Sequence, residues 1–188
     1  MSKLSIDDQV SMYLPEGVMV PSVAGKEITL LHLATHTAGF ARDPSNLRPK
    51  DPLNRFADYT EKQLYLLLTE SSEPVPSRLS ETEKSEAPAN LAYQYSNVGV
   101  GLLGHLLERK EGKSYERLVA ERICDALDMN DTRIKLDDEQ RKHLATGYYF
   151  YDQVAPKSSA GCIPGYGGLR STANDLLKFL AAHNVEQR

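Results

Sequence analysis

Cysteine is scarce in this 188-residue chain, with only Cys124 and Cys162 present. They stand far apart and form no C-x-x-C pair, so two free thiols are expected and the compartment stays open. Any uninterrupted apolar run approaching the roughly 20 residues of a transmembrane helix is also missing. Met1 leads directly into Ser2-Lys3-Leu4-Ser5-Ile6-Asp7-Asp8, without an apolar h-region, so no signal peptide is expected. Nor is there an excess of basic residues. A net charge of −4 argues neither for a nucleic-acid footprint nor for attraction to an anionic membrane, and no nucleic-acid partner is expected. No internal repeat is present. What remains is ordinary: 40% hydrophobic and 26% charged residues describe a soluble globular protein of one domain, long enough to bury a substantial core.

The stretch from Leu91 to Gly104 (Leu-Ala-Tyr-Gln-Tyr-Ser-Asn-Val-Gly-Val-Gly-Leu-Leu-Gly) organises the chain. It is a polar, tyrosine-bearing run that turns into a glycine-spaced apolar helix. Ser96 or Asn97 can cap that helix by accepting a hydrogen bond from a free backbone N–H. Val100, Leu103, Leu106 and Leu107 fall on one face at helical spacing. Each interior glycine costs up to about 1 kcal/mol relative to alanine, so Gly99, Gly101 and Gly104 imply close approach by another element. The same glycines spell G-x-G-x-x-G, the dinucleotide-binding fingerprint. That motif needs a buried strand before it and a parallel strand with an acid after its helix. Gln94, Ser96 and Asn97 interrupt the would-be strand, and Ser114 to Leu127 reads as another helix, so no nucleotide cofactor is expected.

Elsewhere the pattern is mostly helical. Residues 3 to 14 read as the tail of a helix or strand followed by a short turn. Thr29 caps a short apolar helix, Leu30 to Thr35, which Gly39 would end. His32 and His36 on it have an H-x-x-x-H spacing that places both rings on one face. A zinc protease would need Glu at position 33, where Leu33 stands, and no third ligand is in view, so a structural histidine is the better reading and no metal is expected. Arg42 to Phe56 reads as a surface loop. Thr60 to Gln63 is a capping box opening a helix with Leu64, Leu67 and Leu68 inward. Residues 70–90, polar and acidic, read as an exposed mobile loop. Ser114 caps a further helix through Leu127, and Leu136 to Leu144 reads as a short one. Thr146 to Tyr151, with four successive aromatics, is the clearest strand. After a glycine-rich loop, Ser171-Thr172 caps a last helix with Leu176, Leu177 and Leu180 on its apolar side.

Taken in order, four segments resemble the class C branch of the serine β-lactamase and penicillin-recognising superfamily, which includes related D,D-peptidases and esterases. They are Lys3 to Val10, Ile28 to Gly39, Tyr95-Ser96-Asn97 with Val98 to Gly104, and Gly167 to Leu176. The resemblance covers nearly the whole chain, with 70–90 departing from it. It implies a helical region packed beside an α/β sandwich, with the site between them. It also implies three motifs: S-x-x-K for the nucleophile and its lysine, Tyr-x-Asn, and Lys-Thr-Gly or its His variant. On Tyr95-Ser96-Asn97, Tyr95 becomes the general base or proton shuttle and Asn97 holds the substrate's amide, with Ser96 a cap. A free phenol titrates near 10, so this role needs cations, which the family draws from the lysines of the other two motifs.

Those two motifs are missing. No serine has a lysine three positions on; Ser22 and Ser80 each have one at four. Thr132-Arg133-Ile134-Lys135 has the spacing with the wrong first residue. His36-Thr37-Ala38-Gly39 carries one residue too many for His-Thr-Gly. The resulting expectation is a helix-rich α+β chain, residues 1–188, forming one incomplete domain of the β-lactamase/D,D-peptidase fold with most of the sandwich sheet missing. No residue in it is read as a nucleophile, and the chain alone is expected to be inactive. Expected partners are a small-molecule or peptide acyl substrate in the intact family and self-association through exposed apolar surface, with no membrane span. A non-catalytic binding protein derived from the same fold is the alternative. A serine hydrolase based on His36 lacks a G-x-S-x-G elbow.

Overall fold

Thr29 starts the first helix, as its side chain and the four apolar residues among the next five suggest. A computed structural model describes residues 4–23, 26–70, 93–149, 152–155 and 159–183. Before that helix, Val10–Tyr13 form a single 3-10 turn, and Ser22–Val23 (β1) pair antiparallel with Lys26–Glu27 (β2). Helix α1 covers Leu30–Ala34, and the ring of His32 accepts the Thr29 N–H at 3.0 Å. The expected stop at Gly39 comes too late. Thr35 ends the helix and His36 turns the chain at φ +59°, a left-handed conformation a non-glycine residue adopts rarely. His32 and His36 therefore do not share a face: one ring closes the start of α1 and the other leaves beyond its end.

Helix α2 (Glu61–Glu70) opens on the expected capping box, with Gln63 Oε1 accepting the Thr60 N–H at 3.0 Å. Its leucines 64, 67 and 68 are buried. Beyond Glu70, the expected mobile loop lies outside the described residues, as does Leu91-Ala92.

Helix α3 (Asn97–Glu111) is the spine of the molecule. Ser96 caps it by accepting the Gly99 N–H at 2.9 Å, and Gly112 ends it at φ +64°. The expected apolar face is only partly the buried one. Leu106 is fully buried, but Val100, Leu103 and Leu107 are half-buried, while Val98, Leu102 and His105 go inward. The glycines explain the difference, because they give α3 a second buried face. A Cβ on Gly101 would lie 2.7 Å from Ile163 Cβ, and one on Gly104 would lie 3.2 Å from the Cα of Gly165. The turn Pro164–Tyr166 thus rests on the helix backbone. The G-x-G-x-x-G lettering is a packing surface inside a helix, not a phosphate-binding turn before one. The core gathered around this spine joins Val10, Ile28, Leu33, Phe40, Phe56 and the α2 leucines to Val98, Leu102, Leu106 and Ile163.

Ser114 caps α4 (Tyr115–Val119), which widens into a π turn over Ala120–Cys124 and tightens to a 3-10 turn at Asp125–Leu127. Helix α5 (Asp138–Lys142) is shorter than the expected Leu136 to Leu144, fixed by a reciprocal Asp137–Gln140 capping box. The clearest expected strand is absent among the described residues. Tyr148 makes one isolated bridge to Val154 and is 62% exposed. The Tyr149 N–H donates to the carbonyl of Gln153 at 2.7 Å and the Ala155 N–H to that of Gly147 at 2.8 Å, but aromatic content favours a longer strand only where one face is half-buried, and residues 145–149 are exposed. Phe150 and Tyr151 lie outside them.

Helix α6 (Ala173–His183) reverses the expectation most plainly. Leu176, Leu177 and Leu180 are 52%, 63% and 57% exposed, while Asp175 is 2% exposed. Burial alone would push the Asp175 carboxyl up. Hydrogen bonds from Thr132 Oγ1 and the Asp131 N–H, both at 2.9 Å, together with Lys178, outweigh that and hold it below its ordinary range. An ionised carboxylate, not the leucines, is what anchors α6 to the described residues.

The glycine face of α3 yields opposite outcomes for two like substitutions. Gly101→Ala gains helix propensity of about 1 kcal/mol but drives its methyl into a β-branched carbon. Overpacking of that kind costs about 1–3 kcal/mol, which outweighs the gain. Gly99 has no neighbour nearer than 3.6 Å to such a methyl. Urea unfolding should show Gly101→Ala destabilised and Gly99→Ala neutral or slightly stabilised.

A second prediction comes from His105, which is 6% exposed. Tyr65 donates to Glu61 Oε1 at 2.5 Å, so its oxygen takes the Nε2–H of a neutral His105 at 2.7 Å. Burial lowers the pKa of His105, Glu61 opposes that, and Arg109 adds to it. The folded value lies below the unfolded one near 6.5, so this contribution is complete above about pH 6.5 and is lost as pH falls through the folded value. Glu108, raised by burial, works with the opposite sign, from the carboxylate range upward. Urea midpoints followed from about pH 7.5 to about pH 5 should fall in the wild type, and His105→Gln should remove that share of the slope.

Candidate active site

The end of α3 that carries Tyr95 and Asn97 is stitched to the chain just after α1. The Gln94 N–H donates to the carbonyl of His36 at 2.8 Å, and the Ser96 N–H donates to His36 Nδ1 at 3.1 Å. Ser96 Oγ donates to the carbonyl of Ala41 at 2.8 Å, and the Asn97 N–H to that of Arg42 at 2.8 Å. Free N–H groups at a helix start are ordinarily left to water or to a cap. Here the segment 36–42 takes up several polar groups at once, so the conformation of Tyr95-Ser96-Asn97 is set by two chain segments far apart in sequence.

Tyr95 stands at the mouth of this junction and is 44% exposed. Its ring has two partners. The His36 ring packs against it with centroids 4.7 Å apart and planes tilted by 38°, and the Arg42 guanidinium carbon sits 5.2 Å from its centroid. Tyr93 meets His36 edge-on at 5.7 Å. The phenolic oxygen makes no hydrogen bond among the described residues. Buried close by, Gln94 Oε1 also has no hydrogen-bond partner there.

Asn97 is half-buried, and its Nδ2 donates to Asp43 Oδ1 at 2.7 Å. The second oxygen of Asp43 is held by Arg55 at 3.0 Å. Ser96, between the two, is 2% exposed with its hydroxyl committed both as donor and as acceptor. A hydroxyl so engaged is a structural cap, and the geometry brings no base to it. Tyr95 and Asn97 thus flank the buried cap Ser96 in sequence, the Tyr95 ring packed against His36 and Arg42 and the Asn97 amide held by Asp43. The structure places His36 as a hydrogen-bond acceptor and a ring partner for Tyr95. Among the described residues no group of three or more His, Cys, Asp or Glu could hold a metal ion, and no helix is long and apolar enough to cross a membrane.

Arg42, Asp43 and Arg55 were not foreseeable at this site. The stretch Arg42 to Phe56 reads as a surface loop, and much of it is one, but its first two residues line the start of α3. The only local signal is the pair of left-handed residues before it, His36 and Gly39 at φ +59° and +74°, which bend the chain back. Glycine announces one of these bends in the sequence; histidine does not announce the other.

A profile of the Beta-lactamase family matches residues 2–188. The chain belongs to the beta-lactamase family. It is 29% identical over 182 residues to the D-alanyl-D-alanine-carboxypeptidase/endopeptidase AmpH of Escherichia coli (strain K12), covering 94% of this chain and 42% of that protein. It is 28% identical over 182 residues to a Beta-lactamase of Providencia stuartii, covering 95% and 40%. Among solved structures, a Beta-lactamase/D-alanine Carboxypeptidase from Yersinia pestis complexed with citrate matches at TM-score 0.72 and 28% identity, over 94% of this chain and 46% of that one. A class C beta lactamase from Rhodobacter sphaeroides matches at TM-score 0.68 and 28% identity, over 94% and 43%. The fold is thus that of the class C beta-lactamases and D-alanine carboxypeptidases. As expected, the described residues are its helix-rich portion, with few strands. The chain spans less than half the length of these relatives.

Ser96 supplies a direct test of this junction. Ser96→Ala removes the cap on the Gly99 N–H and leaves the Ala41 carbonyl without its donor. The expected loss is about 1–2 kcal/mol in urea unfolding, with the Gly99 and Asn97 amides exchanging faster with solvent.

Proposed function

We propose that these residues supply the tyrosine–asparagine side of a serine acyl-transfer site. The observation that carries this reading is the division of labour at Tyr95-Ser96-Asn97: the central serine is buried as a cap, while Tyr95 is 44% exposed and the amide of Asn97 is half-buried on Asp43. In this reading Tyr95 moves the proton between the attacking serine and the leaving group, and Asn97 meets an amide of the substrate. A phenol does this work near neutral pH only beside positive charge. Arg42 is a cation that the described residues set against Tyr95, over the ring face and not at the hydroxyl. The 188 residues contain no S-x-x-K and no Lys-Thr-Gly or His-Thr-Gly. The serine, its lysine and the third motif therefore come from polypeptide outside these residues, which form part of one domain, and the chain by itself forms no acyl-enzyme.

In this reading the substrate is a β-lactam or a peptide ending in D-alanyl-D-alanine, the classes named by the relatives, or an ester, as the family resemblance implies, cleaved through an acyl-enzyme. The exposed leucines of α6 fit the same reading, since their cover comes from the remainder of such a domain or from a second copy of the chain. Incubating the purified chain with a fluorescent penicillin tests the proposal. No covalent label above background is expected, and one label per chain on any of its serines would overturn it.

A further inference from the structure

One residue grips the chain on both sides of Tyr95 and also meets its ring. We infer that His36, as the neutral tautomer with its hydrogen on Nε2, is a positioning residue for Tyr95. Its Nδ1, tied to the Ser96 N–H, sets the plane of the imidazole against which the Tyr95 ring packs, and so holds Tyr95 in one rotamer. The worth of that placement for proton transfer rests on the reading of Tyr95 proposed above.

The N–H groups of the residues before and after Tyr95 both bind His36. That of Gln94 donates to its carbonyl at 2.8 Å, and that of Ser96 donates to its Nδ1 at 3.1 Å. A backbone N–H only donates, so Nδ1 carries no hydrogen and the ring proton is on Nε2. Turned over, the imidazole would meet the Ser96 N–H with a carbon. One ring orientation is therefore imposed, and in it the imidazole packs on Tyr95 with centroids 4.7 Å apart and planes tilted by 38°. Tyr93 meets the same imidazole edge-on at 5.7 Å. Arg42 also contacts the Tyr95 ring, but from an exposed side chain, so the anchored surface is that of His36. His36 stands at φ +59°. A non-glycine residue persists in the left-handed region where its surroundings over-determine it, and such residues gather at functional sites. Glycine adopts this turn without strain and asparagine more readily than most, yet neither brings a ring to Tyr95.

The test uses the full chain labelled with nitrogen-15 and carbon-13. In the wild type, a coupling across the hydrogen bond should join the Ser96 amide nitrogen to His36 Nδ1, with the ring hydrogen on Nε2. Three-bond couplings should give Tyr95 a single χ1 rotamer. His36→Gly keeps the left-handed turn and removes acceptor and ring together. The Ser96 amide should then exchange about threefold to tenfold faster, the range a single hydrogen bond gives. Tyr95 should average over rotamers, while the Leu118 amide, bound to the carbonyl of Ser114 on α4, should not change. His36→Asn keeps the turn and returns an acceptor oxygen as many bonds from Cα as Nδ1, on a flat amide. It should restore the Ser96 protection and part of the Tyr95 order. His36→Phe keeps a ring without an acceptor, and Tyr95 should average in it.

A hydrogen on Nδ1 in the wild type overturns the proposal. A Tyr95 that keeps its single rotamer in His36→Gly overturns the positioning role, and one that keeps it in His36→Phe overturns the part assigned to Nδ1. Should His36→Phe fail to fold, the comparison of His36→Asn with His36→Gly decides: equal Ser96 exchange and equal Tyr95 averaging in the two overturn the inference. Covalent labelling of a serine of this chain by a fluorescent penicillin overturns the reading of the site and leaves these couplings as they are, so the two fail separately.

Discussion

The buried hydroxyl of Ser96 is the constraint on which this end of the molecule depends. It closes the first turn of α3 through the Gly99 N–H and at the same time binds the carbonyl of Ala41. A cap usually satisfies one helix. This one also fixes where a second segment runs, and that segment carries His36 and Arg42 against the Tyr95 ring and Asp43 to Asn97. The exposed groups are thus rigid because a buried, non-reacting residue between them is fully hydrogen-bonded. Sites on the ends of packed helices hold their geometry better than sites on free loops for this reason.

Burial of α3 on more than one face is the second condition. A helix with one apolar stripe tolerates rotation and sliding against its neighbour. Gly101 and Gly104 remove that freedom, since the Pro164–Tyr166 turn approaches the helix backbone itself. The energetic cost of glycine in a helix is of the order of 1 kcal/mol at each position. It is offset by the burial of Ile163, which is 0% exposed against that face, and full burial of such a side chain is worth about 1.5–3 kcal/mol. The rigid placement of α3 fixes Ser96, and through it the Tyr95 mouth.

What the sequence makes legible depends on the range of the interaction. The capping residues Thr29, Thr60, Ser96 and Ser114 each bind a group three residues on, and those four helices start where these residues place them, whereas α5 starts later than the expected Leu136, with Asp137 as its cap and not in its first turn. The Tyr-x-Asn lettering at Tyr95-Ser96-Asn97 is legible because it is one motif. Asp43 is separated from Asn97 by 54 positions, and nothing local marks the meeting. Among the described residues, the strand expected from Thr146 to Tyr151 is reduced to a bridge at Tyr148 for the same reason in reverse: β propensity reports a side chain's fit to a sheet, and the sheet is a non-local object. The H-x-x-x-H spacing assumes a continuous helix, and the left-handed turn at His36 breaks it before the second ring is reached.

Helix α6 shows the same limit on a single helix face. A leucine stripe at helical spacing records which face is apolar, not which face is covered. Here the covered residue is Asp175, and its carboxylate reaches Thr132 and the Asp131 amide because Thr172 fixes the first turn through the Asp175 N–H at 3.2 Å. A buried carboxylate with this many donors is a specific anchor. It sets the rotation of α6 about its own axis, and that rotation is what turns three leucines outward. Had apolar burial governed the helix, it would have rolled to hide them, at the cost of stripping the aspartate of its partners. Losing hydrogen bonds to a buried charge costs more than leaving leucines half-exposed. The outward stripe is therefore imposed by the polar anchor, on a helix whose orientation that anchor locks.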